Sequence, residues 1–188
     1  MLGTWFALLN PPVMAAVAAH PFIATILWFA PLFLARSSTA APQKLGLVAL
    51  FAGMTGVYIS PLIYSYEQAM PGVVSQAGGL TLSTFGVLTL YAWVSRRDFS
   101  AWGSFFVVGL WVLIATSLLN MFFQNPTASL WIAGGTVLIF SGLLVFDTWR
   151  LRNVYGPDDY VMAAVMIYLD LLNMFLAILQ LLGGGRRN

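Results

Sequence analysis

The chain has 188 residues, of which 60% are hydrophobic and only 7% charged, with a formal net charge of +2. A soluble domain carries about 25% charged residues, so this chain cannot cover its surface for water and must rely on lipid. It has no cysteine and one histidine, His20, which excludes disulfides, thiolate metal sites and zinc hydrolase motifs. The small net charge carries topology information and is no nucleic-acid footprint.

Punctuated by its polar gaps, the chain reads as a polytopic, all-α membrane helix bundle in a single domain, 1–188. Residues 1–10 form a short apolar stub, broken at Asn10-Pro11-Pro12 because a proline pair cannot continue a helix. At about 1.5 Å per residue the stub covers half a bilayer. Either the chain begins inside a full first span, or the stub only dips into the membrane. Residues 13–35 follow as one span, or as a short interfacial turn and a span starting near Pro21. Further spans are predicted at 45–65, 73–94, 101–123, 130–150 and 161–182, joined by short loops.

Arg36 and Lys44, Arg96 and Arg97, and Arg150 and Arg152 lie in three alternate loops, which marks one cytoplasmic side. The tail with Arg186 and Arg187 falls on the far side if 161–182 crosses fully, the simpler reading of a run without internal Pro or Gly. Aromatic residues near run ends, among them Trp93, Trp102 and Trp149, fit an interfacial belt. Ala52, Gly56 and Ser60 recur every fourth residue, a small-residue stripe suited to close helix packing, and Pro61 is expected to kink or end that helix.

Two acids interrupt the apolar runs: Asp147 in SGLLVFDTW and Asp170 in AAVMIYLDLLNMF. A carboxylate at such depth costs several kcal/mol and is usually turned inward toward a partner. The polar turn between the runs centres on Asp158-Asp159, and Asp147 stands as far before it as Asp170 stands after it. In an antiparallel hairpin with a symmetric turn, both carboxylates reach one depth. Facing each other in low dielectric they cannot both ionise cheaply and tend to share a proton, so the pair is a candidate pH sensor or proton-coupled gate. Deprotonated, its hard oxygens could also take a calcium ion. Arg36 is the expected counter-charge, a long side chain reaching in from the interface. Asn173, one turn beyond Asp170, is a possible support for the pair.

Enzymatic readings find little footing. No serine has a histidine base at a sensible depth, and no span holds a lysine or a phosphate-binding loop. An intramembrane aspartyl protease is disfavoured because neither Asp147 nor Asp170 adjoins a glycine.

At these residues the chain resembles the Bax inhibitor-1, or transmembrane BAX inhibitor motif, family in a bacterial-type form. The resemblance spans about 45–183 and rests on GVYISPLIY, LTLYAWVSRRDFSAWGSFFVVGL, LLNMFF, IFSGLLVFDTW and above all IYLDLLNMFLAILQLLG, in that order. It implies a seven-helix fold, here with a shortened first helix, and a central last helix. It also implies a pH-sensitive calcium leak whose sensor is an aspartate pair on the last two spans, matching Asp147 and Asp170, with an arginine partner for which Arg36 is the match. The expected partners are the lipid bilayer and calcium, with no cofactor; the expected location is a bacterial inner membrane. The rival expectation is a regulator that binds a membrane quality-control protease or stress machinery without transporting. A proton-coupled transporter of another solute is a third.

Overall fold

The computed structural model describes residues 2–38, 40–156 and 159–184. Among them every regular element is a helix: α1 (Leu2–Leu9), α2 (Pro11–Ala19), α3 (Pro21–Ser37), α4 (Ala41–Ala69), α5 (Val73–Val94), α6 (Trp102–Phe123), α7 (Pro126–Asn153) and α8 (Tyr160–Gly184). The last five are long and apolar enough to cross a bilayer. The chain forms two compact units, Met1–Pro71 and Gly72–Asn188.

In the first unit the single-span form of 13–35 is not found. The chain breaks at His20, and α2 and α3 meet at 105°. Pro21 favours the break, since its ring disfavours helical geometry at the preceding residue, and His20 adopts φ −126°, ψ 62°. The seven runs predicted thereby become eight helices. The stub is a helix in its own right, packed on α4. Its Gly3 faces the carbonyl of Gly53 so closely that a Cβ there would overlap the oxygen, and a Cβ on Gly56 would come within 2.7 Å of the Thr4 nitrogen. Of the small-residue stripe, Gly56 and Ser60 are buried and Ala52 is exposed.

Pro61 does not end α4, which runs on to Ala69. Proline lacks the N–H that would bond the carbonyl four residues back, at Val57. The Ser60 hydroxyl donates to that carbonyl at 2.7 Å, so the backbone group stays satisfied where lipid cannot help. Trp28 joins α3 to α4: its indole N–H donates to Thr55 Oγ1 at 2.8 Å, and its ring stacks on Tyr58 at 4.5 Å.

In the second unit α8 is the inner helix, with Val165, Leu172, Met174, Ala177, Ile178 and Leu179 all buried. By contrast α6 buries only Phe106 and turns Trp111, Phe122 and Phe123 outward. Outward apolar rings suit lipid, where association rests on close packing rather than on water exclusion. Helices α6 and α7 interlock by glycine notches: the Phe106 ring fills the space beside Gly142, and the Phe146 ring stands where a Cβ on Gly103 would approach within 2.9 Å.

The α6–α7 turn shows why it forms where it does. Gln124 takes a left-handed φ of 48°, ending α6. Asn125 then caps α7, its Oδ1 accepting from the amides of Thr127 at 2.9 Å and Ala128 at 3.2 Å, ahead of Pro126 in the first helical turn. The Asn120 Nδ2 amide donates to Ser129 Oγ at 2.7 Å across this turn. We expect Asn125→Ala to lower stability by about 1 kcal/mol, measurable by unfolding in mixed micelles.

At the opposite end, the Arg152 guanidinium donates to the carbonyls of Trp93 and Ser95, which closes the C-terminus of α5. The loop carrying Arg96 and Arg97 and the end of α7 carrying Arg150 and Arg152 therefore share one face, as the positive-inside pattern predicts for this unit. Arg186 and Arg187 lie outside the described residues. Helix α8 runs unbroken over 25 residues, about 37 Å, enough for a full crossing.

Candidate functional site: a buried carboxylate pair

Asp147 and Asp170 are 7% and 5% exposed, and their side chains lie within hydrogen-bonding reach of one another. Each belongs to one arm of the α7–α8 hairpin. The register set by the turn persists deeper along the arms, where Ser141 Oγ meets Met174 Sδ at 3.5 Å. Asp158, half of the predicted turn centre, lies outside the described residues. Asp159 binds locally, its Oδ2 accepting from the Gly156 amide at 3.3 Å.

The two carboxyls differ in their surroundings. Asp147 Oδ1 lies 3.5 Å from Arg150 Nη1, one helical turn on. Asp170 Oδ2 is buried and has no hydrogen-bond partner among the described residues. Two carboxylates are acceptors only, so a bond between them requires a proton on one. Leaving an ionised oxygen buried and unpaired costs far more than leaving a protonated one.

Arg150 is the site residue that the sequence argument missed, because it was read only as a topology marker. The signal was present: Asp147 and Arg150 are three apart, the spacing of helix-face neighbours. The guanidinium is held by more than charge. It lies 5.5 Å from the Phe146 ring centroid and 4.7 Å from that of Tyr155, both within cation–π range. Tyr155, in the loop after α7, passes its hydroxyl to Met166 Sδ on α8 at 3.1 Å. Burial pushes the Tyr155 phenol above its ordinary value, against the pull of Arg150, so the ring presents a neutral face.

The structure also describes Arg36 and Asn173. Arg36 is exposed in the last turn of α3, in the first unit. Asn173 donates from Nδ2 to the Leu169 carbonyl of its own helix at 2.8 Å. Among the described residues no three acids or histidines cluster as a metal site. The pair offers four carboxylate oxygens, one of them facing Arg150, against the six to eight ligands that calcium takes.

Five helices long and apolar enough to cross a membrane, with an inward-facing acid pair on the last two, define an integral membrane protein with a buried ionisable centre. The family described as "Inhibitor of apoptosis-promoting Bax1" matches residues 1–188, and the chain belongs to that Bax inhibitor family. A Golgi anti-apoptotic protein of vaccinia virus (strain Lister) is 43% identical over 141 residues, 75% of this chain and 58% of the viral protein. Bax inhibitor 1 of Schizosaccharomyces pombe is 31% identical over 180 residues, covering 93% of this chain and 66% of the yeast protein. A membrane protein of Vibrio cholerae is 32% identical over 197 residues, covering 96% and 87%. The chain thus spans less than two thirds of the viral and yeast relatives. The family includes relatives named for suppressing cell death.

Proposed function

We propose that this protein is a pH-sensitive calcium leak channel of a bacterial inner membrane, opened by protonation of the Asp147–Asp170 pair. The observation that carries the reading is the pair itself, two carboxyls brought to one level inside an apolar hairpin. Such groups are expensive in a membrane and are kept where a proton or an ion must pass or be sensed. Further support comes from other buried polar atoms on the helices packed with the pair. Thr89 Oγ1 on α5 and Thr148 Oγ1 on α7, like Asp170 Oδ2 on α8, are buried without a partner among the described residues. Three helices that already pack on one another therefore offer unspent oxygens to water or a cation.

The mechanism follows from charge. Deprotonated, the pair needs a cation, which Arg150 supplies from within α7. Protonation removes one negative charge, weakens the hold of that cation, and lets α7 and α8 shift along their shared register. Calcium is the cargo, met by the oxygens of the pair and by its own water.

The test is calcium release from liposomes holding the purified protein, followed with an internal dye across pH. Faster release at acidic than at alkaline pH supports the reading. No release at any pH, together with a protease or other protein co-purifying in fixed ratio, would favour the rival regulator that binds without transporting.

A further inference from the structure

The pair is built unevenly, and the unevenness has a chemical consequence. One carboxyl has a cation and the other has none: Arg150 faces Asp147 at 3.5 Å, and among the described residues no cation lies within ion-pair distance of Asp170. The neighbouring elements do not redress this. Helices α5 and α6, which pack on α7, contain no Asp, Glu, Lys, Arg or His within their bounds, and Asp170 is the only such residue in α8. Tyr91 of α5 turns to Phe99, at 6.2 Å between ring centroids. Arg152 is committed to the end of α5, and Asp159 to the Gly156 amide. Tyr155 is the remaining titratable group at Arg150, and it offers a ring face.

We propose that Arg150, clasped between Phe146 and Tyr155, is a positioning residue that holds Asp147 as the standing anion and so makes Asp170 the site that takes and releases the proton. The orphaned Oδ2 of Asp170 completes the geometry, since a proton there or on its sister oxygen satisfies a buried group that nothing else reaches. The aromatic clasp matters because a guanidinium one turn from the helix end would otherwise swing out to water. This inference rests on the pair being proton-responsive, as proposed above, but not on what the protein conducts.

Infrared titration of the detergent-purified protein tests it without reference to flux. As pH falls, the first carbonyl stretch of a protonated acid to appear should be that of Asp170, and Asp170→Asn should remove it at that pH. Arg150→Gln should move the midpoint of that band upward by about one pH unit, because a lost cation no longer favours the ionised pair. Arg150→Lys should restore most of the shift, which a merely structural role would not require. Persistence of the first band in Asp170→Asn, or an unmoved midpoint in a folded Arg150→Gln, overturns the assignment. If Arg150→Gln does not fold, the near-isosteric Asp170→Asn spectrum decides alone. A band that behaves as stated in a protein that passes no calcium would sink the channel reading and leave the asymmetry standing.

Discussion

Asp170→Asn is expected to flatten the pH dependence of calcium release from liposomes. A gate opened by one proton changes its open fraction by at most about tenfold per pH unit, in the direction of opening as pH falls through the midpoint. Asparagine keeps the size and hydrogen-bonding capacity of the side chain but carries no titrating proton. Release should then vary little between acidic and alkaline buffers, whatever its absolute level. Asp147→Asn should blunt the profile as well, because the cation whose hold protonation weakens is paired with Asp147. Both variants must first be shown to reconstitute and to keep native helicity. A folded Asp170→Asn protein that still releases calcium several-fold faster in acid would remove the pair from any sensing role. The membrane fold would be unaffected by that result.

Gly56→Val is expected to destabilise the first unit strongly. The added side chain would meet the backbone nitrogen of Thr4 and the carbonyl carbon of Gly3, at 2.7 Å and 3.1 Å from a Cβ alone. Backbone atoms cannot rotate aside as a flexible side chain can, so α1 must lift from α4. Overpacking of this kind costs about 3 kcal/mol. Gly46→Ala, on the same helix, is the control: a Cβ there meets nothing within 4 Å, and the better helix propensity of alanine should leave stability unchanged or raise it by up to about 1 kcal/mol. Unfolding in mixed micelles would measure both. Equal stability of the two variants would mean that the α1–α4 contact contributes nothing.

The spans from α4 onward were legible because apolar length and polar gaps both follow from the bilayer, a solvent of known thickness. The predicted 73–94 coincides with α5, and 101–123 differs from α6 by one residue. The run 13–35 was ambiguous for a local reason, since a proline preceded by histidine can bend a span or divide it. The outcome at Pro61 was hidden for a different reason. Whether a proline ends a helix depends on what replaces its missing bond, here a neighbouring serine hydroxyl.

From its amino acids alone this chain could be placed in a membrane, divided into its spans and credited with two acids equidistant from a turn, since each of these is a matter of composition or counting along one dimension. The rotation of each helix about its axis is not, and it depends on how large and small side chains interlock across neighbours. Packing of that kind turned Asp147 and Asp170 toward each other and laid the Arg150 guanidinium between two aromatic rings. It also left one carboxyl oxygen of Asp170 without company.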